Sequence, residues 1–305
     1  MGLINDGIPF RGDQYRDLGF SRSQLFDAVR ANDLRRLFHG VYVDGEVSDS
    51  RELRLRAIKL VTPPYAVVSD CSASWVYGVD TFRPSDRFLM VPSLVIPHGA
   101  SRVRQRFSHC REAYIDQNDV TELDSLLITT PVRTSADLLR GLWRPYALAA
   151  ADGLTRANLV SAEEVRGYLR RLRRFPGIIQ ARQLAELIDP RAESPGESWM
   201  RLRVIDAGFP RPDLQICIND RNGVEIARID MGYKSLRIAS EYDGKEFHTS
   251  TADREHDEQR RDYLHELEGW RFVVGDKRKI LGPDAGFELC LGKWLDIEPR
   301  LPRMW

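Results

Sequence analysis

Downstream of the stretch LIDPRAESPGES the apolar periodicity changes in a fixed order, which constrains the fold more than any other feature of the chain. GESWMRLRVIDAGF carries Trp199, Leu202, Val204 and Ile205 at helical spacing, with a cap expected near Pro195–Gly196 and Glu197 in the first turn. DLQICIND and VEIARIDMGY alternate as strands around Arg221–Asn222–Gly223, and Asn-Gly suits the positive dihedrals of a tight hairpin turn. LRIASEYDG is a third strand, reached through a turn at GYKS. A helix is expected from about Ala252 to Glu268, and GWRFVVGD is a last strand. The order helix, three strands, helix, strand predicts an α/β domain with a central mixed sheet.

Three carboxylates fall on that frame. Strand periodicity puts Glu241 and Asp243 on one side of the third strand and Tyr242 on the other. Asp230 lies near the end of the preceding strand, within reach of both. Carboxylates on adjacent strands repel one another unless a cation joins them, and hard oxygen ligands suit magnesium, with manganese as an alternative. Asp230, Glu241 and Asp243 are therefore the expected metal ligands, and the chemistry such a metal supplies is hydrolysis of a phosphodiester. Read blandly, the same carboxylates decorate exposed strand faces, and Glu197 merely complements its helix dipole.

A chain of 305 residues is too long for one small core, and the pattern divides it into three segments, 1–48, 49–189 and 190–305. The proline, glycine and serine cluster before Gly196 sets the second boundary. Hydrophobic residues make up 42% and charged residues 30%, which excludes a disordered or fibrous chain. Formal net charge is zero, so nucleic-acid contact must come from local patches. Cys71, Cys110, Cys217 and Cys290 lack the short spacings of zinc or redox sites and read as buried thiols in a reducing cytoplasm. No apolar run reaches the ~20 residues that span a bilayer.

In the first segment, GDQYRDLGF and SRSQLFDAVRAND read as two short helices, with Ser21 as N-cap and Leu25, Phe26 and Val29 on one face. Residues 35–43 alternate around Gly40 as the two strands of a wing, giving a small winged helix-turn-helix. The middle segment mixes a helix near RELRLRAIKLV, strands near RFLMVPSLVI and LLITTPV, and helices from 134 onward. Its positive charge is concentrated in RVRQRF and VRGYLRRLRRF. Each reads as a solvated face; the second reads alternatively as a phosphate-contacting helix on which Tyr168 or Phe175 stacks.

The stretch GFSRSQLFDAVRANDLRRLFHGVYV resembles the N-terminal winged helix of AbiE-type antitoxins, and VVSDCSASWVYGV and LLITTPVRTSADLL resemble segments of that family's second domain. The resemblance implies transcriptional autoregulation, DNA as a partner, and a toxin or other defence-system partner. The segment IDMGYKSLRIASEYDGKEFHTSTADREHDEQRRDYLHELEGWRFV resembles small bacterial families related to very-short-patch repair endonucleases, within the PD-(D/E)XK superfamily. That likeness implies a restriction-endonuclease-like domain in which Asp230 and Glu241 ligate metal. It also implies Glu197 as a helix-borne carboxylate at the site's edge and His248 as a proton-transfer residue.

Asp243 stands where that superfamily carries the lysine of E-x-K, and Lys245 or His248 is left to serve in its place. A histidine that titrates near pH 6.5 suits the role of general base or acid. Arg254, Asp257 and Arg261 recur at helical spacing, either as a surface ion-pair ladder or, by the likeness, with Arg254 on the scissile phosphate. The reading overall is a multidomain α/β, cytoplasmic, magnesium-dependent DNA endonuclease or nickase directed by an N-terminal module. Its rival is an antitoxin-like repressor whose nuclease-fold domain is inactive. A winged helix on a palindromic site is compatible with a homodimer.

Overall fold

The computed structural model describes residues 7–82, 90–98, 108–219, 222–244, 261–266, 268–302 and 304–305. Lys245, His248, Arg254, Asp257 and the RVRQRF stretch lie outside the described residues. The chain is a mixed α/β protein of three sheets, divided into two compact units. The first takes in Met1–Arg140 and Leu159–Pro176, the second Gly141–Asn158 and Gly177–Trp305.

In the first unit, β1 (Phe10–Arg11) leads to α1 (Arg22–Arg30), and the hairpin β2 (Leu34–Phe38) and β3 (Val41–Asp44) closes a sheet of order β1-β3-β2. Ser21 caps α1 in a reciprocal box with Gln24, so two end donors are satisfied locally. Gly40 turns the hairpin at a positive φ of 78°. The first expected helix is only a 3-10 turn at Gly12–Gln14. Phe26 points to solvent beneath the Arg22 guanidinium, so α1 buries Leu25 and Ala28 instead.

After α2 (Arg51–Lys59), the strands β4 (Val67–Val68), β5 (Ser93–Ile96), β6 (His109–Glu112), β7 (Val120–Leu123) and β8 (Leu126–Thr129) form a sheet of order β6-β5-β4-β8-β7, with α3 (Asp70–Val76) between β4 and β5. Phe38, Val41 and Val43 of the hairpin share one core with Ile58, Val68, Trp75, Leu94 and Ile128. The hairpin and the five-stranded sheet are thus joined by packing across residue 48, where the sequence suggested a boundary. The helices α4 (Pro131–Gly141) and α6 (Ala162–Arg171) follow in the chain. Tyr168 of α6 is buried and its hydroxyl donates to Asp119 Oδ1 at 2.9 Å, so it is not a stacking platform. The Phe175 ring lies under the Arg140 guanidinium at 5.1 Å.

The second unit contains α5 (Arg144–Arg156), α7 (Ile178–Ala185), α8 (Pro195–Asp206), β9 (Asp213–Asn219), β10 (Glu225–Tyr233), β11 (Ile238–Asp243), α9 (261–266), β12 (Arg271–Asp276), α10 (Lys277–Leu281) and α11 (Gly286–Leu295). Its sheet runs β12-β11-β10-β9, with β11 parallel to β12 and the other neighbours antiparallel. One face packs on α8 and α11 through Met200, Val204, Met231, Ile238, Phe287 and Leu291. The other buries Ile216, Ile229, Ala239, Leu264 and Trp270.

Helix α5 packs on α8, and a buried ion pair joins Asp152 to Arg201 at 2.6 Å. The stretch before Gly196 is therefore a turn inside this unit, although its composition reads as a linker. The cysteines are all unbridged; Cys217 is exposed and the other three are half-buried, so none is the fully buried thiol expected. Among the described residues no helix is long and apolar enough to cross a membrane.

Candidate functional site

The site is assembled at the first turn of α8. Ser194 is the N-cap, its Oγ accepting from the Glu197 N–H at 3.2 Å, and Pro195 follows with its dihedral preset for a helix. Gly196 lets this turn lie against β11, because a Cβ there would sit 2.1 Å from the Tyr242 ring. The cap places Glu197 under the sheet, where it is only 6% exposed.

Glu197 Oε2 accepts from the Glu193 N–H at 2.9 Å and from Gln215 Nε2 at 2.9 Å. Burial holds its carboxyl above the usual range; the Glu193 N–H opposes this and the nearby Asp230 carboxylate adds to it.

Asp230 occupies an unusual point of β10. Ile229 packs on one face of the sheet and Met231 on the other, although residues two apart normally share a face. Its Oδ2 accepts from the Tyr242 N–H at 2.9 Å, just beyond the last paired residues of the β10–β11 ladder, Met231 and Ser240. A side chain thus takes the place of a backbone partner where the two strands part.

Glu241 is 6% exposed and its Oε2 lies 3.6 Å from Arg261 Nη1 on α9. Tyr242 packs edge-on to Trp199 on the α8 side, so alternation turns Glu241 and Asp243 toward α9, as the sequence spacing required. Asp243 lines an open cleft of about 550 Å³ with Arg261, His265, Arg271, Phe272 and Trp294.

The expected convergence of Asp230, Glu241 and Asp243 is not formed among the described residues, where no three His, Cys, Asp or Glu side chains are grouped to hold a metal. The physical reason is the sheet itself: Glu197 approaches from α8, Glu241 and Asp243 face α9, and Asp230 stands where β10 changes faces. What the structure brings together is Glu197, Asp230 and Gln215. Burial is the main cause of the raised Glu197 carboxyl, the neighbouring Asp230 carboxylate adds to it, and the Gln215 carboxamide turns its nitrogen, not its oxygen, toward Glu197. Gln215 was not singled out from the sequence; a lone glutamine in an alternating strand carries no signal.

The comparisons with known proteins cover both units. Residues 65–187 match the family model of the AbiEi antitoxin C-terminal domain, a stretch that takes in the five-stranded sheet and the helices from α4 to α7. Two uncharacterised proteins of Mycobacterium tuberculosis, from strains CDC 1551 and H37Rv, are each 32% identical over 266 residues, covering 86% of this chain and 93% of theirs. The chain belongs to the same family as these two mycobacterial proteins.

Proposed function

We propose that the protein is an AbiEi-antitoxin-like transcriptional regulator that binds DNA through its N-terminal helix and hairpin and acts with a toxin partner. The match over residues 65–187 carries this reading, because it is a likeness to the AbiEi antitoxin C-terminal domain in the stretch that follows the helix–hairpin element and α2. The outer face of α1 presents Arg22, Ser23, Gln24 and Arg30 to solvent, and Arg36 is exposed on the hairpin. Arginine and small polar side chains of this kind suit phosphates and base edges, and they provide a local patch in a chain of zero net charge. A gel shift with DNA from upstream of the protein's own gene tests this. A salt-sensitive complex is expected, weakened about tenfold by Arg22→Ala or Arg30→Ala, on the scale of one lost arginine contact. Absence of a shift at low salt overturns it.

A second reading is supported by the Glu197–Asp230 pair and by the order α8, three antiparallel strands, α9, parallel strand: a metal-dependent nuclease domain of the restriction-endonuclease kind. In that reading Glu197 and Asp230 would hold the cation, while Glu241 and Asp243 face α9, and a bound divalent ion would supply an activated water and charge neutralisation at a phosphodiester. His248, Lys245 and Arg254 keep the proton-transfer and phosphate roles implied by the superfamily likeness. The test is nicking of supercoiled plasmid with magnesium or manganese. Cleavage by wild type that is lost in Asp230→Ala and Glu197→Ala supports an enzyme; no cleavage with either metal leaves the regulator alone.

A further inference from the structure

We propose that Phe26 on α1 is a specificity-determining residue of the DNA-binding face, where its ring meets the C5 methyl group of thymine in the major groove. The proposal rests on the first of the two readings above and names a base that this face recognises.

Helix α1 buries Leu25 and Ala28 in a core with Phe10 and Leu34, and Val29 packs against the same group. Phe26 has no place in it. Of the described phenylalanines it alone is exposed, at 53%. An aromatic ring left in water forgoes the stabilisation that burial gives, and the helix is already anchored by the neighbouring side chains. The fold therefore gives no reason for a phenylalanine at this position.

The ring stands between two arginines. Arg22, Phe26 and Arg30 recur every four residues as one exposed stripe along α1, and the Arg22 guanidinium lies over the Phe26 ring at 5.8 Å. Asp27, the one acid on α1, lies 3.9 Å from Arg30 and offsets part of that charge. An apolar group flanked by cations complements an anionic surface with an apolar spot set into it, and not a purely apolar partner. The DNA duplex is such a surface: its major groove is walled by phosphates, admits a helix, and presents the thymine methyl as the apolar group of its base edges. In a helix-turn-helix the second helix lies in that groove. Helix α1 stands in that place, after the 3-10 turn at Gly12–Gln14 and before the β2–β3 hairpin. Phe26 then meets the methyl while Arg22 and Arg30 reach phosphate oxygens or guanine.

The DNA from upstream of the protein's own gene is prepared twice, once with thymine and once with uracil throughout, which pairs with adenine in the same way but lacks the methyl. Gel shifts on both are run with the full chain and with Phe26→Ala, which keeps the fold because the side chain is exposed and alanine is a strong helix former. Wild type is expected to bind the thymine DNA about fourfold more tightly for each methyl it covers, on the scale of one buried methyl group. Phe26→Ala is expected to bind the two DNAs alike. Wild type that makes no distinction between them overturns the thymine contact and leaves the regulator reading standing, and so does a preference that survives in Phe26→Ala. If that variant loses affinity equally on both DNAs, the ring meets a second copy of the chain or a protein partner instead, and the proposal falls. Wild type that binds neither DNA at low salt overturns the regulator reading and the proposal with it.

Discussion

Asp137 on α4 is almost wholly buried and meets three guanidinium groups, at 2.8 Å from Arg133, 3.0 Å from Arg111 and in a short contact with Arg140. Arg133 is itself 3% exposed and reaches on to Asp119 at 2.6 Å. Burial alone pushes the Asp137 carboxyl up, but the guanidiniums of Arg133, Arg140 and Arg111 outweigh it and hold the group below its usual range. A carboxylate depressed in the folded state contributes stability that is complete above its unfolded value, near pH 3.9, and is lost as pH falls through the lower folded value. Asp137→Asn leaves buried arginine charge uncompensated and is expected to cost about 3–5 kcal/mol at pH 7. In urea titrations the gap between wild type and variant stays constant down to about pH 4 and narrows below it. A gap that widens on acidification contradicts this account. None of these partners was legible in TSADLL, since a helical pattern shows which face is inward but not which charges converge there.

At the scale of elements, the sequence located α8, the three strands and β12 through plain periodicity. Ser194 as the cap and the β9–β10 face change escaped it. Both depend on what lies across space: the cap on a side chain that folds back to the Glu197 N–H, the face change on two strands turning at one rung. For the same reason Asp230, Glu241 and Asp243 looked like one cluster in a regular sheet, whereas Asp230 stands at an irregular rung and accepts from the Tyr242 N–H. The close approach of α8 to β11 makes a direct test of this arrangement. Gly196→Ala drives a methyl into the Tyr242 ring, which also packs on Trp199. Overpacking of this kind costs about 1–3 kcal/mol, and in a unit of this size each kcal/mol lowers Tm by roughly 2–4 °C. A scanning-calorimetry midpoint equal to wild type would show that the first turn of α8 does not lie against that ring.

For the whole molecule, the division of the chain matters more than the count of its elements. The second unit draws on residues 141–158 and 177–189, upstream of the apparent linker, because α5 packs on α8 and carries Asp152. Asp152 is fully buried; burial pushes its carboxyl up and the Arg201 guanidinium opposes that rise. Asp152 also accepts from the Asp189 N–H at 2.9 Å, and Arg201 donates to the Leu187 carbonyl. Arg144 at the start of α5 forks onto Asp206 at 2.7 and 2.8 Å, closing the far end of α8. A fragment of residues 190–305 keeps the four-stranded sheet but strips α8 of these partners and leaves Arg201 without Asp152. Removing one member of a buried ion pair costs about 3–5 kcal/mol, comparable with the total stability of a domain this small. The fragment is therefore expected to show no cooperative thermal transition by circular dichroism, whereas a fragment of residues 141–305 melts cooperatively. If 190–305 melts as sharply as 141–305, α5 and α7 are dispensable and the composition-based boundary at 189 describes the folding unit better than the packing does.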